Sequence, residues 1–387
     1  MGTVGGLLDS IVLLIGVAAT VPVPDSYLGR FEYGLELCRR DLPAMTEPAD
    51  EAAGRLAGGG RLWAAGQSLL VNEWVGRAGG IMMIDPLGDK TPEPRDVVLY
   101  AGPGAVPDTL HSSGAFVVGI GVRHVSKDAP AFSNHADEAG LPEPLAGIIP
   151  GWVFTGELVA ALTRLGKMPA MYETIGLPDG VPRIQRLRGR GILFHDDLAI
   201  EPVAPGVIGN RFIDAVQAML RRVQRQHAAH IATAGAWAAE AKRSNRRIFM
   251  YSMGHLFPDA IDQSEISSLF ESAPWYSGFS QYPLPDHRYA FGDVLIHIGY
   301  QHPPYRMLSK ARLAGARVIY VDLHCHRDYV GDPYVIWIDP MWPWTDGCVA
   351  IDQYDIPILP ASGIVNGAIA WEIYRETVRH LDARAPE

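Results

Sequence analysis

The chain has 387 residues, enough for two domains around a substantial core, and its 48% hydrophobic and 20% charged composition excludes a disordered or fibrous protein. With 33 Lys plus Arg against 43 Asp plus Glu, the net charge of -10 repels a polyphosphate backbone, so nucleic acid is not the expected partner. The three cysteines, Cys38, Cys325 and Cys348, are an odd count that makes no disulfide framework, and a reducing cytoplasm is the expected compartment.

The first segment of note is SIVLLIGVAATVPVP, Ser10 to Pro24. No Lys or Arg precedes Arg30, Asp9 interrupts its start, and it falls short of the roughly 20 apolar residues of a membrane span. It reads as a buried helix or strand rather than a signal peptide, within an N-terminal apolar segment of residues 1–40, and no membrane partner is expected.

A helix is predicted from Asp41 (DLPAMTEPADEAAGRL), then an apolar strand, RLWAAGQ, that ends in Gly66-Gln67-Ser68. NEWVGRAGG follows, Asn72 to Gly80, in which Glu73 stands four residues before Arg77. Next come the strand DVVLYAG with its loop Gly102-Pro103-Gly104, the strand GAFVVGIGV from Gly114, and a Pro-led helix, IIPGWVFTGELVAAL, from Ile148. From Gly176 to Gly209 the chain is rich in Pro and Gly and carries Arg183, Arg186, Arg188 and Arg190. That composition predicts an interdomain connection, with the arginines as a solvated face or a patch tying domains together rather than a grip for an anion.

The same order then recurs. A long periodic helix from Arg211 precedes IFMYSMGH; DVLIHIG from Asp293 repeats DVVLYAG; GARVIYVDL from Gly315 repeats GAFVVGIGV; and ILPASGIVNGAIAWEI from Ile358 repeats the Pro-led helix. Strands alternating with helices predict an α/β fold of two tandem domains, residues 41–200 and 201–387, each a parallel sheet flanked by helices. Ligands of such sheets bind beyond the carboxyl ends of the strands. This makes Gly66, Gln67, Ser68, Gly102 and Gly104 candidate ligand-binding residues in the first half, and Ser252, Gly254, Tyr300, Gln301 and His302 in the second. Neither a Walker pattern nor a GxGxxG fingerprint is present, and no cofactor is expected.

The element order, the GQS loop, NEWVGRAGG, DVLIHIG with ARLAGARVIYVDL, and LPASGIVNGAIAWEIYRE together resemble the sugar isomerase (SIS) domain, in the branch of phosphoheptose isomerase and related proteins with a GHS loop and a Glu-led RAGG segment. The resemblance covers most of the chain, as two tandem halves. It implies a sugar or sugar-phosphate ligand, a homodimer, and aldose–ketose isomerisation through an enediolate with Glu73 as the base; His255, at a helix start beside the proposed ligand, is a candidate acid or ring-opening residue, against a loop histidine hydrogen-bonded locally. The alternative is a non-catalytic sugar-phosphate-binding protein, favoured by Leu256 in place of a loop serine and by loops at Gly102 and Tyr300 poor in hydroxyls. For Glu73 the bland reading is a helix-surface ion pair with Arg77 at i,i+4.

Two further stretches carry weaker signals. In DLHCHRD, His324 and His326 point to one side of a strand, but no CxxC or HExxH spacing supports zinc and no metal is expected. The aromatics of YVIWIDPMWPWTDG, Tyr334 to Gly347, read as core and interface rather than a sugar-stacking platform.

Overall fold

The computed structural model describes residues 22–122, 130–252, 260, 264–272, 288–301, 304–325 and 327–383. The segment Ser10 to Pro24 falls almost wholly outside them, as do Gly254, His255, Leu256, His302 and His326.

The first half opens with helix α1 (Tyr27–Ala57) and strand β1 (Leu62–Gly66), followed by α2 (Ser68–Trp74), β2 (Ile84–Pro86), β3 (Val97–Ala101), α3 (Asp108–Ser112), β4 (Phe116–Ile120), β5 (Ala131–Phe132), α4 (Ala136–Ala139) and α5 (Glu143–Arg164). Its connection to the second half holds β6 (Met168–Pro169), α6 (Gly180–Leu187) and β7 (Phe194–His195). The second half runs through α7 (Val207–Arg243), β8 (Ile248–Ser252), β9 (Glu271–Ser272), β10 (Val294–Ile298), α8 (Tyr305–Leu313), β11 (Arg317–Val321), β12 (Val335–Ile338), the hairpin β13 (Gly347–Val349) and β14 (Ile358–Pro360), and α9 (Ser362–Asp382).

Two five-stranded parallel sheets result, ordered β2-β1-β3-β4-β5 and β9-β8-β10-β11-β12. Numbered within each half, both orders are the same, and the registers agree: Leu62 faces Val97 as Ile248 faces Val294. The repeat extends to single hydrogen bonds. Asp96 accepts from the backbone of Arg61 (2.9 Å) and Glu93 (2.9 Å), and Asp293 accepts from Arg247 (3.0 Å) and Ala290 (2.8 Å). Each aspartate of the repeated DV(V/L) motif thus pins the start of its central strand to the turn leaving the long helix.

The long helices α1, α5, α7 and α9 pack on one another, and one continuous apolar cluster joins them to the inner faces of both sheets. α5 is long and apolar enough to cross a membrane, but its apolar window is entirely buried inside the protein, as the central helix of a core must be. Two helices differ from their predicted bounds. α1 starts at Tyr27, where the Ser26 side chain caps Gly29 N–H (3.1 Å), because Leu28, Phe31, Leu35, Cys38, Leu42, Met45 and Ala49 form a single buried stripe that runs through Pro43 and Pro48. α5 starts at Glu143 with a proline in its first turn, so Pro150, read as a helix leader, lies inside it; its counterpart Pro360 ends β14 just before α9.

Candidate functional site

At the carboxyl edge of the first sheet, β1 and β3 touch through glycine. Gly66 has φ +101°, and a Cβ there would fall 2.1 Å from the Ala101 carbonyl oxygen. Gln67 N–H then bonds that same oxygen (2.7 Å), and Gly102, φ +129°, lies against the Gln67 side chain. This close approach leaves Gly66, Ser68 and Gly104 exposed on a rim, with Gln67 half-buried between them. Gln67 Oε1 is buried with no hydrogen-bond partner. The helices that leave this rim are short: α2 has 7 residues and α3 has 5, against 9 in α8, the second-half counterpart of α3. Such stubs supply little of the aligned dipole by which a full helix holds an anion.

Glu73 lies near the end of α2, and its neighbourhood matches neither simple expectation for it. The helix stops at Trp74, so Arg77 sits in the turn beyond, between Gly76 and Gly79, both with positive φ. The pair is buried, each side chain 1% exposed, with Nε to Oε1 at 3.3 Å. Trp152 Nε1 donates to the same Oε1 (3.4 Å), and a Cβ on Gly363 of α9 would lie 2.9 Å from it.

Arg77 carries this cluster across to the second half. Its Nη2 reaches Asp346 Oδ2 (3.0 Å) and the Ser362 hydroxyl (2.5 Å), and its guanidinium lies 5.3 Å from the Tyr300 ring centroid. Asp346, fully buried, also accepts from Ser362 N–H (2.9 Å), Ser362 Oγ (3.1 Å) and Tyr300 OH (3.0 Å). Burial alone would lower the Arg77 pKa, but the adjacent Asp346 and Glu73 carboxylates outweigh it and hold the group firmly charged. Tyr300 is pushed well above its usual value, by burial first and by Asp346 second, so it stays a donor. The glycines of RAGG complete the joint. Gly79 O accepts from Leu359 N–H (2.8 Å), Gly79 N–H bonds Tyr172 O (2.8 Å), and a Cβ on Gly79 would crowd the β13–β14 hairpin at 3.1 Å.

The predicted second-half residues divide between this joint and the undescribed loop. Tyr300 stacks on Trp342 (centroids 5.3 Å apart) besides bonding Asp346. Gln301, φ +61° and 3% exposed, accepts from Thr174 Oγ1 of the first half (2.6 Å) and donates to Trp344 O. Ser252 is buried at the end of β8. The first-half candidates thus sit together on an open rim, while Tyr300 and Gln301 spend their polar atoms on protein partners. The connection's arginines also tie the halves: Arg183 bonds Asp355 (2.5 and 3.0 Å) and Tyr354 OH (2.8 Å). Among the described residues no three His, Cys, Asp or Glu side chains gather as a metal site.

Asp346, Ser362 and Trp152 went unnoticed in the sequence. The signal for Asp346 was its place in WTDG, a turn closing an aromatic run; nothing local marks Ser362 or Trp152.

No protein-family model and no curated protein matches the chain. Among solved structures it is similar to the C-terminal domain of glucosamine-fructose-6-phosphate aminotransferase from Francisella tularensis, with a TM-score of 0.47 and 9% identity over 92% of this chain and 97% of that one. It is also similar to tagatose-6-phosphate ketose/aldose isomerase from Escherichia coli, with a TM-score of 0.42 and 11% identity over 93% of each chain. At these scores the fold rests on the strand order and register given above.

Proposed function

We propose that this chain is an SIS-type protein that binds a sugar derivative at the carboxyl edge of its first sheet, and that Glu73 joins the two halves rather than serving as an isomerisation base. The observation that carries this reading is the Glu73 carboxylate itself: 1% exposed, bonded by Arg77 and Trp152, and covered by Gly363. A general base must come within about 2.6–3.2 Å of the proton it takes. A substrate carbon finds no such place beside Oε1 without dismantling the joint.

The rim formed by Gly66, Gln67, Ser68, Gly102 and Gly104 supports the binding half of the proposal. It offers the exposed Ser68 hydroxyl and the exposed backbone of Gly66 and Gly104, with the buried, unpartnered Gln67 amide oxygen just beneath. With only α2 and α3 behind it, these neutral groups suit sugar hydroxyls better than a tightly held phosphate.

The test uses aldoses, ketoses and their 6-phosphates, with binding measured by calorimetry and exchange at C1 and C2 followed by NMR in D2O. The expected result is saturable binding, weakened at least about fivefold in Ser68→Ala, with no deuterium incorporated. Incorporation by the wild type that stops in a folded Glu73→Gln variant would restore the isomerase reading. Failure to bind any of the sugars would end the binding proposal.

A further inference from the structure

The two halves provide an internal control for one another, and they differ most plainly at the amino edges of their sheets, opposite the loops just described. The turns leaving α1 and α7 superpose bond for bond: Gly58 N–H to Gly54 O matches Ser244 N–H to Glu240 O, and Gly60 N–H to Arg55 O matches Arg246 N–H to Ala241 O. With Asp96 aligned to Asp293, this pairing sets Arg55 opposite Ala241, Gly60 opposite Arg246, Pro94 opposite Phe291 and Gly114 opposite Gly315.

In the first half the edge is closed. Arg55 reaches across it to donate to Pro94 O (2.6 Å) and Gly114 O (3.4 Å), and Pro94 packs on Gly114. In the second half Ala241 removes that plug and leaves a groove of about 240 Å³, lined by Ala241, Ser244, Arg246, Phe291, Arg317 and Tyr334 among others. A second groove of about 420 Å³ adjoins it and shares Arg246.

The lining has a definite chemistry. Phe291 is 74% exposed and its ring lies over Gly315, a large apolar face left in water. Tyr334, 45% exposed, is held by Arg312 against its ring (4.6 Å). Arg246 extends its stem along Gly292, where a Cβ would stand 3.5 Å from Arg246 Cγ, and it has no carboxylate partner among the described residues. Arg317, by contrast, is paired with Glu240 (2.6 Å), so the local balance of these three charges is one positive charge, carried by Arg246. Lys242 lines the second groove and adds to it.

We infer that this groove is a second ligand site, one that takes a small anion bearing a planar ring, of the mononucleotide class, with the ring on Phe291 and the anionic group on Arg246. Arginine donates a charge-assisted pair of hydrogen bonds to phosphate oxygens, and an exposed phenyl face is a stacking platform for a base. The inference is independent of any sugar bound at the opposite edge.

The test is calorimetry on the full chain with AMP, adenosine and inorganic phosphate as probes. AMP is expected to bind at least about tenfold more tightly than either fragment, and Arg246→Ala and Phe291→Ala are each expected to weaken it by at least about tenfold. Ala241→Arg, which restores the first half's plug at a position whose alanine is 3% exposed, is expected to abolish AMP binding in a variant that circular dichroism shows to be folded and that keeps any sugar binding. AMP binding no tighter than adenosine or phosphate, or full binding in Ala241→Arg, would overturn the assignment.

Discussion

Removing the Asp346 carboxylate tests whether the buried joint between the halves holds the fold. In Asp346→Ala, Ser362 N–H and Tyr300 OH lose their acceptor inside the protein, and Arg77 keeps only Glu73 as a counter-charge. Each stranded buried donor costs about 1–3 kcal/mol, and removing one partner of a buried ion cluster costs about 3–5 kcal/mol in all. The expected loss is therefore about 3–5 kcal/mol, read as a lowered urea midpoint by tryptophan fluorescence and circular dichroism. Glu51→Ala is the matched control. Glu51 is 52% exposed and pairs with Arg55 on the α1 surface, an arrangement worth about 0.5 kcal/mol or less. If Asp346→Ala loses no more than Glu51→Ala, the joint is not what holds the halves, and the argument that confines Glu73 to a structural role loses its basis.

Asp96 predicts a pH effect. Burial pushes its carboxyl up, but hydrogen bonds from Trp63 Nε1 and the backbone of Arg61 and Glu93 outweigh this and hold it below the ordinary carboxylate range. A depressed folded value means that its contribution is complete above about pH 4, the unfolded value, and is lost as pH falls through the lower folded value, so Asp96→Asn should flatten the fall in urea midpoint as pH drops below about 4. The thiols predict a labelling order. Burial pushes Cys38 far up, Asp41 adding to it, whereas Cys325 is raised but partly exposed, so iodoacetamide followed by mass spectrometry should mark Cys325 well before Cys38; equal rates would refute the burial of α1.

The parallel sheets are legible because parallel strands buried on both faces must be apolar runs, and the glycines that end DVVLYAG and DVLIHIG mark where backbone approaches backbone; the order of strands within each sheet is not, since only tertiary pairing sets it. The start of α1 is not legible because residues 1–40 read as one apolar segment, while the stripe of buried residues that decides the matter continues back from Leu42 through Leu35 and Phe31 to Leu28. Glu73 and Arg77 were recognised as a pair, but their burial was not, since it depends on Asp346 and Ser362, 269 and 285 residues from Arg77 in the chain. No local pattern can announce a partner that only tertiary packing supplies. Gly66, Gln67, Ser68, Gly102 and Gly104 come together because they follow neighbouring strands of one sheet; the second-half loop at Tyr300 and Gln301 looks equivalent in sequence but is taken up by Arg77 and Thr174.

That unequal use of equivalent loops is what two halves with the same strand order permit. In a pair of identical halves, a cation that reaches from one copy into the other would be matched by its symmetric twin. Here Arg77 reaches Asp346, and the residue that ends the second half's equivalent loop offers a tyrosine face and a phenol instead of a free rim. Once the Tyr300–Gln301 loop is built into the joint it no longer needs to stay open, whereas the first half keeps Gly66, Ser68 and Gly104 exposed. The amino edges diverge in the opposite sense. Arg55 closes the first and Ala241 opens the second. Substitutions at single matching positions, Arg55 against Ala241 and Pro103 against Tyr300, thus decide which of the described loops face solvent.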